Sequence, residues 1–148
     1  YTNRISYLYN YNVSVWISNN VPPEDLILND MSWSGLFLPS FSFKRVIFHY
    51  FPHPPEYNKA RLIWLYANNI TLVKSILREL RIKWIFVTSE WGYLDLWMYN
   101  GSSVFRRKPF TPAEYINFFD SYPFLVKVYQ YGNSAVYKVI LPESEHNK

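Results

Sequence analysis

Residues 69–87, NITLVKSILRELRIKWIFV, decide the fold. The first half has helical spacing: Leu72, Ile76, Leu77 and Leu80 face one way, and Lys74, Arg78 and Arg81 line the other side. The second half, Trp84-Ile85-Phe86-Val87, is apolar at every position, the pattern of a strand buried on both faces. A helix that feeds such a strand predicts a crossover, with another buried strand earlier in the chain.

Two earlier runs fit that requirement. Leu26-Ile27-Leu28 follows the acidic turn Glu24-Asp25, and Val46-Ile47-Phe48 lies within a strand predicted over 45–49. The first three strands are expected to be parallel and joined by helical crossovers. Residues 3–18 read as a helix with Ile5, Leu8, Tyr9, Asn12 and Trp16 on one stripe, broadened by Val13 and Ile17, and Asn19-Asn20-Val21-Pro22-Pro23 ends it. Residues 29–39 form a loop, and 52–55 break the chain. A further helix is expected over 56–67, with Leu62, Ile63 and Tyr66 as its apolar face.

Beyond Val87 the pattern changes to hairpins. Asn100-Gly101 separates two strand-like runs, 94–99 and 103–107, and both residues tolerate positive φ. Thr111-Pro112-Ala113-Glu114 is a capping box with Pro at the first helical position, opening a helix that runs through Phe119. Strands over 125–131 and 135–141 are joined by Gly132-Asn133-Ser134. The predicted class is α/β or α+β: a mixed sheet with a parallel core, helices on its faces and a C-terminal hairpin. A single domain is expected over 1–142, followed by a polar tail over 143–148.

Composition narrows the function classes. The chain has 148 residues, enough to bury about 70% of its unfolded surface without covalent staples. It has no cysteine, which excludes thiolate metal sites, cysteine nucleophiles and disulfides. Aromatic residues make up 21%, whereas charged residues are 18% against an ordinary value of about 25%. Gly 4 and Pro 10 fit a heat-adapted chain. A net charge of +4 is too small for a dedicated duplex-DNA binder. No apolar run is long enough to span a membrane, and the start at Tyr1 leads us to expect a fragment or processed product.

Several residues invite a chemical reading. Asn29 and Asp30 follow a predicted parallel strand, where open α/β sheets place ligands. Asp30 is positioned to hold a metal or a sugar hydroxyl, or more plainly to cap a turn. His49 and His53 have the spacing of a helical zinc pair, but Pro52 and Pro54 forbid a helix there and no HExxH motif surrounds them. Trp91, Tyr93, Trp97 and Tyr99 would share one face of a strand, as a platform for sugar rings or bases or as rings packed under a hairpin. Arg106-Arg107-Lys108, Lys44-Arg45 and the Lys74-Arg78-Arg81 face would attract phosphate or serve as solvated surface. Asn12, Asn69 and Asn100 each open a glycosylation sequon. No Gly-rich phosphate loop, nucleophile elbow or paired-carboxylate motif is present.

The order of pieces resembles a known family. The pieces are Val15-Trp16-Ile17-Ser18, Val21-Pro22-Pro23-Glu24-Asp25-Leu26-Ile27-Leu28, Lys44-Arg45-Val46-Ile47, Ile82-Lys83-Trp84-Ile85-Phe86-Val87, and the closing runs from Phe124 to Tyr129 and Asn133 to Val139. Together they look like the soluble domain that follows the last membrane helix in archaeal and bacterial multi-pass glycosyltransferases of the GT-C type, protein mannosyltransferase-like or oligosaccharyltransferase-like. The resemblance implies an extracytoplasmic domain at the cell membrane. Its partner would be the transmembrane portion of its own chain, together with a lipid-linked sugar and a glycan or protein acceptor. It implies that the catalytic carboxylates and metal sit in the membrane bundle. This domain would then hold no cofactor and be inactive alone, with an auxiliary role in acceptor access or packing. The rival is a free-standing glycan- or nucleic-acid-binding module, with no specific nucleic acid expected on the family reading. The oligosaccharyltransferase motif Trp-Trp-Asp-Tyr-Gly has counterparts here only in Trp33 and Gly35, within Asn29-Asp30-Met31-Ser32-Trp33-Ser34-Gly35, which implies a different acceptor. Asp30 and Trp33 are expected to be at least partly solvent-accessible, near the carboxyl ends of the Leu26 and Trp84 strands.

Overall fold

The computed structural model describes residues 2–30, 44–48, 55–90, 93–97 and 103–142. Strand β1 (Leu26–Leu28) pairs in parallel with β2 (Arg45–Val46) on one side and with β3 (Trp84–Val87) on the other. A hairpin, β4 (Tyr93–Trp97) and β5 (Ser103–Arg107), forms a separate two-stranded sheet with Asp95 opposite Phe105. β6 (Leu125–Tyr131) and β7 (Ser134–Val139) close the main sheet, β7 running antiparallel to β3, in the order β2-β1-β3-β7-β6. The predicted mixed sheet with a parallel core and a C-terminal hairpin is the observed architecture.

The helices are α1 (Thr2–Asn20), α2 (Arg61–Leu65) after a 3-10 turn over Pro55–Ala60, α3 (Ile70–Glu79) and α4 (Pro112–Asp120). Strand alternation sorts the core into two layers. Leu26, Leu28, Ile85, Val87, Ala135 and Tyr137 point to one face, where α2, α3 and α4 pack with Ile63, Trp64, Val73, Ile76, Leu77, Tyr115 and Phe119. Ile27, Trp84, Phe86 and Val136 point to the other, covered by Val13, Ile17 and Val21. Burial on both faces is why residues 84–87 are apolar throughout.

Local chemistry fixes the helix ends. Asn69 caps α3, its Oδ1 accepting from Leu72 N at 3.1 Å. Thr111 and Glu114 form the predicted capping box, with Glu114 N donating to Thr111 Oγ1 at 3.2 Å and Thr111 N to Glu114 Oε1 at 2.8 Å. The far end of α3 closes differently. Ile82 N donates to Leu77 O at 3.0 Å and Arg81 N to Arg78 O at 3.3 Å, with Arg81 in the left-handed region at φ 56. This is a Schellman cap with arginine where glycine is the favoured residue.

Two predicted helix faces are corrected. On α1, Leu8 is 51% exposed, and the buried stripe is Asn10, Val13, Ser14 and Ile17. Asn10 belongs there because it ties α1 to the sheet: its Oδ1 accepts from Ser89 N at 2.8 Å and from Ser134 Oγ, and its Nδ2 donates to Glu90 Oε1 at 3.1 Å. Residues 56–67 are a 3-10 turn followed by a short helix. There Tyr66 is exposed, and Ala60, Ile63, Trp64 and Ala67 hold the buried face. The polar tail over 143–148 lies outside the described residues.

Candidate functional site

Strand order reverses at β1, the central parallel strand, so the carboxyl ends of β1 and β3 are where this fold would present a site. Asn29 and Asp30 leave β1 at that edge, and Thr88, Ser89 and Glu90 leave β3 beside them. The edge is polar and closely bonded. Asp30 Oδ2 receives Lys108 Nζ at 2.5 Å and Thr88 Oγ1 at 2.8 Å. Asn29 Nδ2 donates to Phe48 O at 2.8 Å and Asn29 Oδ1 accepts from Phe48 N at 2.8 Å. Ser89 and Ser134 bring their hydroxyl oxygens within 2.6 Å of each other.

Lys108 reaches Asp30 because the chain turns out of β5 into the capped start of α4. Its ammonium lies 5.0 Å from the Trp64 ring centroid and 5.2 Å from that of Tyr115, so two aromatic faces share the charge with the carboxylate. The two rings meet edge-to-face at 5.1 Å. Tyr115 donates its hydroxyl to Trp64 O at 2.5 Å, and Trp64 Nε1 donates to Asn29 O at 2.9 Å. Burial pushes the Tyr115 phenol far up, with the Asp30 charge adding to the effect. The cluster is thus a ring of contacts running Asn29, Trp64, Tyr115, Lys108, Asp30.

This geometry corrects two expectations. Asp30 is 0% exposed rather than solvent-accessible, because its charge is neutralised inside the protein. Lys108 is 1% exposed and belongs to the interior, not to a basic surface with Arg106 and Arg107. Arg107 is exposed. Asn29 is likewise buried, occupied by the Phe48 backbone. Chemically, the arrangement anchors backbone: Asp30 precedes segment 31–43 and Phe48 precedes segment 49–54, so both segments leave the carboxyl edge of the sheet from fixed residues.

The other predicted site residues separate. Trp33, Gly35, His49, His53, Trp91, Tyr99 and Asn100 lie outside the described residues, as do the side chains of Tyr93, Trp97 and Arg106. Asn12 is half-buried on α1 and donates to Leu8 O at 2.9 Å, whereas Asn69 spends its carbonyl on the α3 cap. Lys44 Nζ donates to Val21 O at 2.6 Å and Arg45 Nη1 to Glu24 O at 2.8 Å, so this basic pair ties down the turn before β1. Among the described residues no group of three or more His, Asp or Glu side chains is placed to hold a metal ion. No described helix is long and apolar enough to cross a membrane. Sequence reasoning missed Asn10, Thr88 and Trp64; helix 3–18 holds three asparagines, Asn3, Asn10 and Asn12, and nothing local singles out Asn10.

The fold and this edge define an open α/β domain whose carboxyl rim carries an internal ion pair. No protein-family model matches the chain, and no curated protein matches it significantly. Among solved structures it is similar to the C-terminal globular domain of an oligosaccharyltransferase from Archaeoglobus fulgidus, with a TM-score of 0.55 and 12% sequence identity over 87% of this chain and 95% of that one. At that identity the likeness is one of fold.

Proposed function

We propose that this chain is the extracytoplasmic globular domain of a membrane-bound glycosyltransferase-like protein, auxiliary to a transmembrane catalytic bundle. The observation that carries this reading is the fold likeness, which takes in nearly all of both chains and matches the C-terminal domain of an oligosaccharyltransferase. Its role is to pack on the bundle and shape acceptor access, with the bundle binding the lipid-linked sugar and carrying out transfer. The fixed departure points of segments 31–43 and 49–54 suit that role, since a chain segment that meets an acceptor works best on a fixed base. A stripe on α1 suits packing: Leu8, Tyr11 and Val15 stand 51%, 47% and 42% exposed at helical spacing.

The test uses the full-length parent. Its flanking sequence should contain multiple hydrophobic spans, and protease added outside intact cells should release this domain. The purified 148-residue chain should transfer no sugar. Absence of flanking spans, release only after permeabilisation, or turnover by the chain alone would overturn the reading.

A further inference from the structure

The three basic groups of the sequence have different fates. Lys44 and Arg45 bond to backbone carbonyls, and Lys108 is buried against Asp30. The third group keeps an opening. Lys74, Arg78, Arg81 and Lys83 line a cavity of about 750 Å³ between the last turns of α3 and the end of β7. Thr71 and Ser75 add two hydroxyls on the same helix, and Val139, Leu141 and Pro142 form the opposite wall. Among the described lining residues the single carboxylate is Glu79, which Lys59 bridges at 3.0 Å from outside the cavity.

Local physics argues against this arrangement as mere surface. Lys74 and Arg78 are four residues apart on α3, a like-charge spacing that destabilises a helix. Arg81 occupies a left-handed backbone position that non-glycine residues resist. Basic residues near a helix C-terminus complement its dipole. That accounts for Arg78 and Arg81, but not for Lys74 in mid-helix. Two local costs at one concave place are the usual mark of a site that recovers them on binding.

We propose that this groove binds a phosphate-bearing anion, with Lys74, Arg78, Arg81 and Lys83 meeting the phosphate oxygens, Thr71 and Ser75 donating to them, and the Val139–Pro142 wall covering the less polar part of the ligand. Four cations suit a dianion or a diphosphate better than a single carboxylate. The volume falls within the usual range for small-molecule sites. The same chemistry would arise from a soluble phosphate compound or from anionic headgroups at a bilayer surface. The inference stands on the groove itself and does not depend on the membrane reading.

The test titrates this chain with inorganic pyrophosphate while following backbone amides by NMR, and in parallel sediments it with vesicles of phosphatidylglycerol or of phosphatidylcholine. The variant is Lys74→Ala with Arg81→Gly. Arg81→Gly relieves the strained cap, so on its own it should raise the melting temperature by a few degrees while lowering affinity. That split separates loss of binding from loss of fold. Pyrophosphate should shift amides over 81–83 and 139–141, and the double variant should weaken binding by about tenfold. Binding of pyrophosphate alone identifies a soluble phosphate. Charge-selective binding of phosphatidylglycerol vesicles alone identifies headgroups. Either result requires the same loss in the variant. No binding in either arm, or equal binding by the variant, would overturn the proposal.

Discussion

Lys108 Nζ lies 2.5 Å from Asp30 Oδ2, across 78 residues of chain, with both side chains essentially out of solvent. A buried pair of this kind adds little net stability over an apolar replacement, but losing one partner strands a charge. Lys108→Met should therefore destabilise the domain by about 3–5 kcal/mol in urea denaturation. Asp30→Asn should cost less, because the amide still accepts from Thr88. The double variant should be less destabilised than the sum of the two. Strict additivity would mean that the pair is not coupled.

Asn29 poses a different problem, because both of its amide atoms are used on one backbone unit, Phe48. Asn29→Ala leaves a buried N–H and a buried C=O unpaired, at about 1–3 kcal/mol each. Asn29→Asp keeps an acceptor for Phe48 N but faces Phe48 O with a second acceptor, so it should not rescue. Hydrogen exchange at the Phe48 amide should speed up in both variants. An unchanged rate would show that this bond does not hold the edge.

How far these features were legible depends on sequence distance. The apolar run 84–87, the capping box at Thr111 and the hairpin over 125–139 are written in adjacent residues, and each appears as expected. Lys108 was not legible. Its neighbours Arg106 and Arg107 make it look like part of a solvated run, whereas its burial is set by Asp30, Trp64 and Tyr115 from distant parts of the chain. The α1 stripe shifted for the same reason. Asn10 reads as polar and outward, but its partners Ser89 and Ser134 arrive from β3 and β7. The cationic face of α3 was visible from spacing alone, but the groove beside it was not, because its other wall comes from the end of β7.

Buried phenols should set the response to alkali: burial raises Tyr122, and it raises Tyr115 and Tyr137 further. Tyr137 donates to Asp120 Oδ1 at 2.7 Å. Burial, reinforced by that carboxylate, pushes its ionisation far above the ordinary value of 10.0. Tyr115 is raised in the same direction by burial and by Asp30. A raised phenol pKa means that the unfolded chain loses protons first as pH rises. The stabilisation is complete below the unfolded value of about 10 and is lost above it, by about 1.4 kcal/mol per pH unit for each tyrosine. Denaturation curves should thus be flat in this respect at pH 8–9 and fall steeply above about pH 10. Tyr137→Phe should make that fall shallower. An equally steep fall in Tyr137→Phe would assign the alkaline limit to other groups.

Gly132 supports the closing hairpin for two reasons that can be measured apart. It sits at the first central position of the Gly132-Asn133 turn with φ 60, a conformation that side chains resist. It also lies directly under an aromatic ring: a Cβ placed there would come within 2.3 Å of Tyr9 Cδ2 and Cε2. Tyr9 in turn packs edge-on against Tyr131 at 5.6 Å, so α1 leans on the hairpin at this point. Gly132→Ala should cost about 1–2 kcal/mol for the backbone and a further 1–3 kcal/mol for the overlap. Tyr9→Ala removes the ring and should relieve only the second part. In a double-mutant cycle read by thermal denaturation, Gly132→Ala should therefore be milder in the Tyr9→Ala background, by about 1–3 kcal/mol, yet still destabilising. Equal cost in both backgrounds would show that Tyr9 moves aside freely and that the turn geometry alone demands glycine. A cost that vanishes without Tyr9 would place the whole requirement on the ring.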